Sequence, residues 1–247
     1  SEALKIDPNI NNRIKCAAFC EMDGYASANQ TGDAYTKALK ENNVEIVENF
    51  EVSKINNSNN NYEIIDVHGK KINAKKIVLA AGVYLEKILK LLDISIKIKC
   101  FPQQLIVTER MPELLKTVIT VAHGKLSLKQ FENGTVLIGG GWPGKGNIEN
   151  GYNETIPENL IGNMRLACHA IPNLKNSRVS RVWLGLEAET DDAMPIIGEL
   201  PNLKNAFIIG SIHSGYTSGP YMGKLLSEKI LGKDVDLSLF DIKRLMN

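Results

Sequence analysis

The 247-residue sequence has no long apolar run. A membrane-spanning helix needs about 18 or more consecutive apolar residues, and none is present. The N-terminal Ser1-Glu2-Ala3-Leu4 shows neither a basic start nor a hydrophobic signal segment. Net charge is nearly absent, since 29 basic residues against 28 acidic ones leave +1. No strong field therefore steers the chain to nucleic acid or to a membrane surface. Aromatic residues are only 6 %, too few for a base-stacking surface. Cysteine is scarce as well. Cys16, Cys20, Cys100 and Cys168 form no Cys-x-x-Cys pair, and no histidine joins them at zinc-site spacing. Free thiols in a reducing, cytoplasmic setting are expected. His68, His123 and His169 stand alone and read as surface or satisfied core, so no metal site is expected. Internal repeats are missing too. What remains is an ordinary globular composition, 43 % hydrophobic and 23 % charged, with material for a sizeable core.

Residues 1–26 read as irregular, with a strand-like stretch around Ile14 to Phe19. Ala34, Tyr35, Ala38 and Leu39 recur at helical spacing and predict a helix over Thr31 to Glu41, stopped by Asn42-Asn43. Val44 to Val47 and Phe50 to Ile55 read as strands. The tract Asn56 to Asn61 reads as a turn or mobile loop. Tyr62 to Val67 and Lys71 to Ala74 flank His68-Gly69 as a hairpin. Ile77-Val78-Leu79-Ala80 is apolar throughout, which predicts a strand buried on both faces, followed by a helix from about Tyr84 to Leu92. Short runs at Gln103 to Glu109, Val118 to Ala122, Lys125 to Gln130 and Thr135 to Ile138 predict an antiparallel sheet. Glu158 to Ala170 reads as a helix with Pro157 in its first turn. Arg178 to Leu186 and Ala206 to Ile209 read as strands, and Pro220 to Leu231 as a closing helix with Gly232 past its end. The fold class is thus mixed α/β and α+β. Parallel-type β/α pieces interleave with an antiparallel sheet.

Four segments carry possible chemistry. Gly139-Gly140-Gly141-Trp142-Pro143-Gly144 fits G-x-G-x-x-G by letter. No helical periodicity follows it, so it reads as a loop leaving an antiparallel strand and not as a phosphate site. Val78 to Gly82 puts small residues after a strand, which suits close approach of a ligand or a tight strand-to-helix turn equally. Ile208 to Pro220 joins a buried strand to a helix through a Gly/Ser-rich loop. Ligands collect at such carboxyl ends, where free helix N–H groups favour an electron-rich partner. His213 there is read as a ligand contact, with turn capping as the alternative. Glu187, Glu189, Asp191 and Asp192 crowd one segment, which reads as a solvated acidic loop because no histidine lies nearby in sequence.

On these residues the chain resembles the FAD-dependent D-amino-acid oxidase family, which includes sarcosine and glycine oxidases and D-amino-acid dehydrogenases. Asp23-Gly24-Tyr25, the following helix and Val44 to Ile55 are similar to its "D-G, helix, G-V-x-I, V-x-x-I" stretch, with Asn43 replacing a glycine. Ile77 to Gly82 resembles "V-V-x-A-A-G", and Arg181 to Gly198 resembles "W-x-G-x-x-x-x-T-x-D-x-x-P-I-I-G". Gly210 to Pro220 resembles the C-terminal flavin-contacting loop. The resemblance implies an incomplete parallel β/α FAD-binding domain at 27–55, 75–95 and 181–247. An antiparallel substrate domain with hairpin insertions would occupy 1–26, 56–74 and 96–180. It implies oxidation of the C–N bond of an amino acid or secondary amine by hydride transfer to flavin N5. The alternative is a non-catalytic assembly subunit of a multi-subunit amine dehydrogenase.

FAD contacts are implied for Val52 near adenine and for Ala80, Ala81 and Gly82 near the ADP portion. Gly210, Ser211, His213, Ser214, Gly215, Tyr216 and Thr217 would lie along the flavin edge, with His213 and Tyr216 as the candidate catalytic side chains. Gly215 and Gly219 are expected to allow a backbone path that a Cβ would block. Two departures stand out. Glu187 occupies the place of an arginine that pairs with a substrate carboxylate in several family members, and no strand–G-x-G-x-x-G–helix unit precedes these segments. The chain is therefore expected to be the C-terminal part of a longer flavoenzyme, needing an N-terminal FAD-binding part or a partner subunit.

Overall fold

The computed structural model describes every residue except Ser1, Asn59, Asn60, Asn147, 149–152 and Asn247. In chain order the elements are α1 (Glu2–Ile6), α2 (Ala28–Glu41), β1 (Val52–Ser58), β2 (Asn61–Asp66), β3 (Lys71–Ala74), β4 (Ile77–Leu79) and α3 (Leu85–Lys90). Then come β5 (Lys99–Thr108), β6 (Ile119–Thr120), β7 (Ser127–Gln130), β8 (Val136–Pro143), β9 (Lys145–Gly146), β10 (Asn153–Glu154) and α4 (Pro157–Ala170). The chain closes with β11 (Val179–Glu189), β12 (Ile196–Glu199), β13 (Ala206–Gly210) and α5 (Gly215–Ile230). Two compact units result: Ser1–Ala28 with Phe101–Leu186, and Asn29–Cys100 with Glu187–Asn247.

The second of these units is built on a three-stranded sheet in the order β12-β13-β4. The β13–β4 pair is parallel, with Phe207 opposite Val78 and Ile208 opposite Leu79. The β12–β13 pair is antiparallel, with Ile197 opposite Ile209. Strand side chains alternate between faces, and both faces of β13 find a core. Ala206 and Ile208 join Ile77, Leu79, Leu85 and Leu89 on one side. Phe207 packs with Ile197, Leu226 and Leu237 on the other. Complete burial of an Ile or Leu stabilises by about 1.5–3 kcal/mol, so a central strand with no polar residue is the expected outcome. β4 differs: Val78 is 45 % exposed, so this strand is not buried on both faces as its sequence suggested. It is the terminal strand of its sheet, with no partner on its outer edge among the described residues.

A β1-β2-β3 meander belongs to the same unit. The buried Tyr62 donates its hydroxyl to the Lys204 carbonyl at 2.7 Å, and burial raises its pKa. The Asp66 carboxylate closes the His68-Gly69 turn by accepting from the amides of His68 (2.9 Å) and Lys70 (2.8 Å). Residues 56–74, grouped at the sequence level with the antiparallel domain and its insertions, lie within this unit.

The other unit holds a five-stranded sheet in the order β11-β5-β8-β7-β6. Alternation along β5 buries Gln104, Ile106 and Thr108. Ile106 packs with Leu128, Val136, Ile138, Ala167 and Leu174. The polar pair is satisfied locally. Gln104 accepts from the Ile156 amide at 2.6 Å just ahead of α4, and the Thr108 hydroxyl accepts from the Val136 amide at 3.0 Å.

Several expectations are corrected. Residues 14–19 form no strand, and a short helix, α1, precedes them. Val44 to Val47 is not a strand. Val44 and Ile46 are exposed, and an extended segment without a ladder partner does not count as sheet. The asparagine tract is less a loop than the tip of a hairpin, because Asn56, Asn57 and Ser58 pair with Glu63, Tyr62 and Asn61; Asn59 and Asn60 lie outside the described residues. Gly139, Gly140 and Gly141 are strand, not loop, while Gly144 lies just past the strand. β8 runs through the first three, and at Gly140 (φ +115°) a Cβ would strike the Leu126 backbone. Asn147, part of the stretch that ended this reading, is also outside the described residues.

Candidate functional site

β13 ends in a short left-handed turn. Ser211 (φ +50°) and Ser214 (φ +56°) reverse the chain, a conformation that costs a non-glycine residue and persists only where the surroundings fix it. α5 then begins at Gly215, five residues earlier than the proline-based reading placed it, with Pro220 inside the helix. The reason is local. The Ser214 carbonyl accepts from the amides of Thr217 (2.8 Å) and Ser218 (3.2 Å), which closes the first turn ahead of the proline. The expected loop to Gly219 is therefore confined to Ser211 to Ser214. Gly215 and Gly219 do not need glycine's freedom, since neither has a positive φ and a Cβ at either meets nothing within 4 Å. Gly210 is the glycine that packing demands, because a Cβ there would lie 2.6 Å from Leu85 Cδ2.

The structure brings two groups of candidate residues together. Because β13 and β4 run parallel in adjacent register, Gly210 to Ser214 and Ala80 to Gly82 leave the same, carboxyl end of the sheet. Gly82 (φ +55°) opens a 3-10 turn that leads into α3. Val52 stands apart on β1, in the meander, and packs against the core that also holds Ala81. His213, Ser214, Gly215, Tyr216 and Thr217 are exposed, Tyr216 at 60 %. Ser211 is buried at 4 %, and its hydroxyl oxygen has no hydrogen-bond partner.

The acidic segment is a solvated loop only at Asp191 and Asp192, which lie in an exposed turn. Glu187 and Glu189 lie in β11, and three of the four acids hold a base. Asp191 pairs with Lys99 at 2.7 Å, which lowers the carboxyl pKa and raises that of the ammonium. Arg244 donates from Nε to Asp192 at 2.7 Å and from Nη2 to the carbonyls of Met194 (2.9 Å) and Pro195 (3.0 Å). This guanidinium, with help from the Thr190 hydroxyl and the Met194 amide, holds the Asp192 carboxyl far below the usual range. Glu187 Oε1 lies 2.9 Å from His213 Nδ1. That couple was missed in the sequence, because its members belong to different motifs and no local spacing links them. Among the described residues no group of three or more His, Cys, Asp or Glu could hold a metal ion. No helix among them is long and apolar enough to cross a membrane. All four cysteines carry free thiols.

Asp23-Gly24-Tyr25 lies in the antiparallel unit. Tyr25 donates to the Gln130 carbonyl at 2.8 Å and meets Phe131 edge-on at 5.3 Å. The Lys129 ammonium stands 5.7 Å from the Tyr25 ring, and burial lowers its pKa. A cavity of about 1150 Å³ opens beside these residues, lined also by Asp7, Met111 and Lys116. None of the candidate cofactor residues lines it.

The loop after β13 suits the polar edge of a flavin on two counts. The Ser211 hydroxyl is buried without a hydrogen-bond partner, and the first amides of α5 lack intrahelical acceptors. A parallel β/α pair with such an end, in a chain that also carries an antiparallel sheet unit, agrees with the flavin-dependent oxidoreductase class that the sequence resembles. Comparison with known proteins gives the family. A family model described as FAD dependent oxidoreductase matches residues 1–229, and the chain belongs to this D-amino-acid oxidase family. It is similar to hydrogen cyanide synthase subunit HcnC of Pseudomonas protegens, with 28 % identity over 93 % of this chain and 55 % of that protein. An opine oxidase subunit of Rhizobium meliloti is 25 % identical over 98 % of this chain and 63 % of its own length. The crystal structure of glycine oxidase from Geobacillus kaustophilus superposes with a TM-score of 0.87 at 20 % identity, covering all of this chain and 66 % of that one. The chain thus spans 55–66 % of the length of these relatives.

Proposed function

We propose that the protein of which this chain forms part oxidises the C–N bond of an amino acid or secondary amine with FAD. The observation that carries the reading is the buried, unpartnered Ser211 hydroxyl between β13 and the start of α5, beside Ala80 to Gly82 on the parallel neighbour. Bound FAD supplies the hydride acceptor, and the protein supplies position and electrostatics. Ser211 and the amides of Gly215 and Tyr216 would hold the pyrimidine edge, where preorganised donors favour the charge that develops on reduction. Ala80, Ala81 and Gly82 would lie along the ADP portion and Val52 near adenine. His213, on the exposed side of the loop, would orient the substrate, with Tyr216 beside it.

Two relatives are named as subunits of larger enzymes. That supports a second reading, in which this protein works within an assembly and copurifies with a flavin-bearing chain. The test is anaerobic titration of the intact, flavin-loaded protein of which this chain forms part with glycine, sarcosine, D-alanine and L-proline. Bleaching of the flavin band by at least one amine, with imine-derived product, is the expected result. A colourless protein, or a flavin reduced by dithionite but by no amine, rejects the oxidation reading.

A further inference from the structure

The cavity of about 1150 Å³ beside Tyr25 has no part in the reading above. Every residue that lines it belongs to the antiparallel unit, and none is a candidate flavin contact. Pockets for small organic ligands commonly measure about 300–1000 Å³, so there is room for one here. Part of the wall is apolar, with Ile6, Ile10 and Ile119. The charge around it is one-sided. Among the described residues the lining acids are Asp7, Glu21, Asp23, Glu113 and Glu132, and the lining base is Lys116. Lys129, whose ammonium stands 5.7 Å from the Tyr25 ring, is not part of the lining. Exposed acids alone would amount to a solvated face. Asp7 is different, because it is fully buried. Its Oδ2 accepts from the amides of Lys116 (3.0 Å) and Thr117 (3.4 Å) and from the Thr117 hydroxyl (3.3 Å). Its Oδ1 has no hydrogen-bond partner. One oxygen thus fixes the carboxylate to the backbone, and the second is the acceptor that Asp7 can offer to the cavity it lines. A buried acceptor without a donor is costly and calls for an explanation.

We propose that this cavity binds an organic amine in its ammonium form, with the cation on Asp7 Oδ1 and the hydrocarbon body against Ile6, Ile10 and Ile119. An ammonium donating to a carboxylate makes one of the stronger hydrogen bonds, and this carboxylate is already held in place. The exposed acids around it concentrate cations and repel anions. The apolar wall rewards a hydrocarbon body, which a bare ammonium or a metal ion lacks. Binding here needs no flavin, so it stands apart from the oxidation proposed above.

The test is a footprint on the intact protein of which this chain forms part, kept anaerobic so that no amine turns over. Cys20 lines the cavity and Cys16 does not, while both thiols are free and exposed. Hexylamine is expected to slow alkylation of Cys20 by iodoacetamide and to leave Cys16 unchanged. Affinity is read from the amine concentration at half-protection. Hexanol, which lacks the charge, and methylamine, which lacks the body, should each bind at least about tenfold more weakly. In Asp7→Asn the amides of Lys116 and Thr117 hold the side-chain carbonyl, so the NH2 group replaces Oδ1 and meets the ammonium donor to donor. Hexylamine affinity should fall at least about tenfold. Glu132→Lys, at an exposed position, should weaken hexylamine and leave hexanol unchanged. Thermal melting shows whether Asp7→Asn is folded, and Glu132→Lys decides alone if it is not. Equal affinity for hexylamine and hexanol, a Cys20 that hexylamine does not protect, or unaltered protection in the folded variants would each overturn the proposal. A Cys20 that iodoacetamide does not reach in the ligand-free protein would overturn it as well, since the cavity would then be closed.

Discussion

Two glycines five residues apart should respond to substitution in opposite ways. Gly210 is buried at the end of β13, and a Cβ there would lie 2.6 Å from Leu85 Cδ2, on a side chain with no exposed surface. A side chain that is fully packed has no space into which to swing. Gly210→Ala should therefore cost about 1–3 kcal/mol, the usual range for overpacking. In a chain of this size that lowers the melting temperature by roughly 2–10 °C. Gly215 has an ordinary φ and open space around the position of a Cβ. Gly215→Val should leave the melting temperature of the flavin-free protein within about 2 °C of the original, since helix propensity favours valine over glycine by a few tenths of a kcal/mol. If the open space is where the flavin edge lies, the same substitution should weaken flavin binding by roughly tenfold or more, or about 1.4 kcal/mol. The assay pairs calorimetric melting of both variants with flavin titration, by absorbance, of the intact protein of which this chain forms part. A Gly215→Val protein with unaltered flavin affinity and reduction potential would refute the placement of the cofactor against this turn. A Gly210→Ala protein that melts normally would refute the packing argument.

Other outcomes follow from named contacts. Removing the guanidinium that joins Asp192 to the carbonyls of Met194 and Pro195, by Arg244→Ala, should cost about 1–2 kcal/mol after allowance for partial solvent screening, read as a lower urea midpoint. The Asp192 pKa is depressed in the folded chain, so its contribution is fully present above the unfolded value near 3.9 and is lost as pH falls below it. Urea midpoints measured from pH 6 to pH 3 should fall more steeply in the unaltered protein than in Arg244→Ala, and parallel curves would contradict the assignment. His213→Ala should change turnover by a smaller factor than Gly215→Val, because the imidazole orients and does not carry an obligatory proton; complete loss of turnover would reverse that assignment. Burial raises the thiol pKa of Cys100 and Cys168. Mass spectrometry after brief iodoacetamide treatment at pH 8 should therefore show the exposed Cys16 and Cys20 labelled first.

Sequence patterns were most informative where burial is two-sided or strictly alternating. The apolar run Ala206 to Ile209 marked the central strand, and the runs around Gln103, Lys125 and Thr135 marked the antiparallel sheet. Pro157 marked the start of α4 within a residue. The start of α5 was hidden, because Gly215, Thr217, Ser218 and Gly219 are poor helix formers and the turn is closed by the Ser214 carbonyl, which no propensity reports. β12 went unread as a strand. Its residues Ile196 to Glu199 follow a proline and an acidic turn, and only pairing with β13 gives them regular structure. Val44 to Val47 shows the converse, a strand-like sequence without a strand beside it. At the site, the loop and its parallel neighbour could be placed from sequence order. The Glu187–His213 couple could not, since only the tertiary fold brings the end of β11 and the turn after β13 into contact.

The outer edge of β4 bears on how the protein must be handled. A parallel strand with unpaired backbone groups and a half-exposed valine is a template that any extended chain can join. At high concentration two copies meeting along this edge would merge their sheets, and the product would grow with time and resist dilution. A strand that joins in parallel from within one polypeptide must instead arrive through a long crossover, so it comes with its own covering helix. Light scattering as a function of concentration thus tests whether that three-residue edge is open to a second copy.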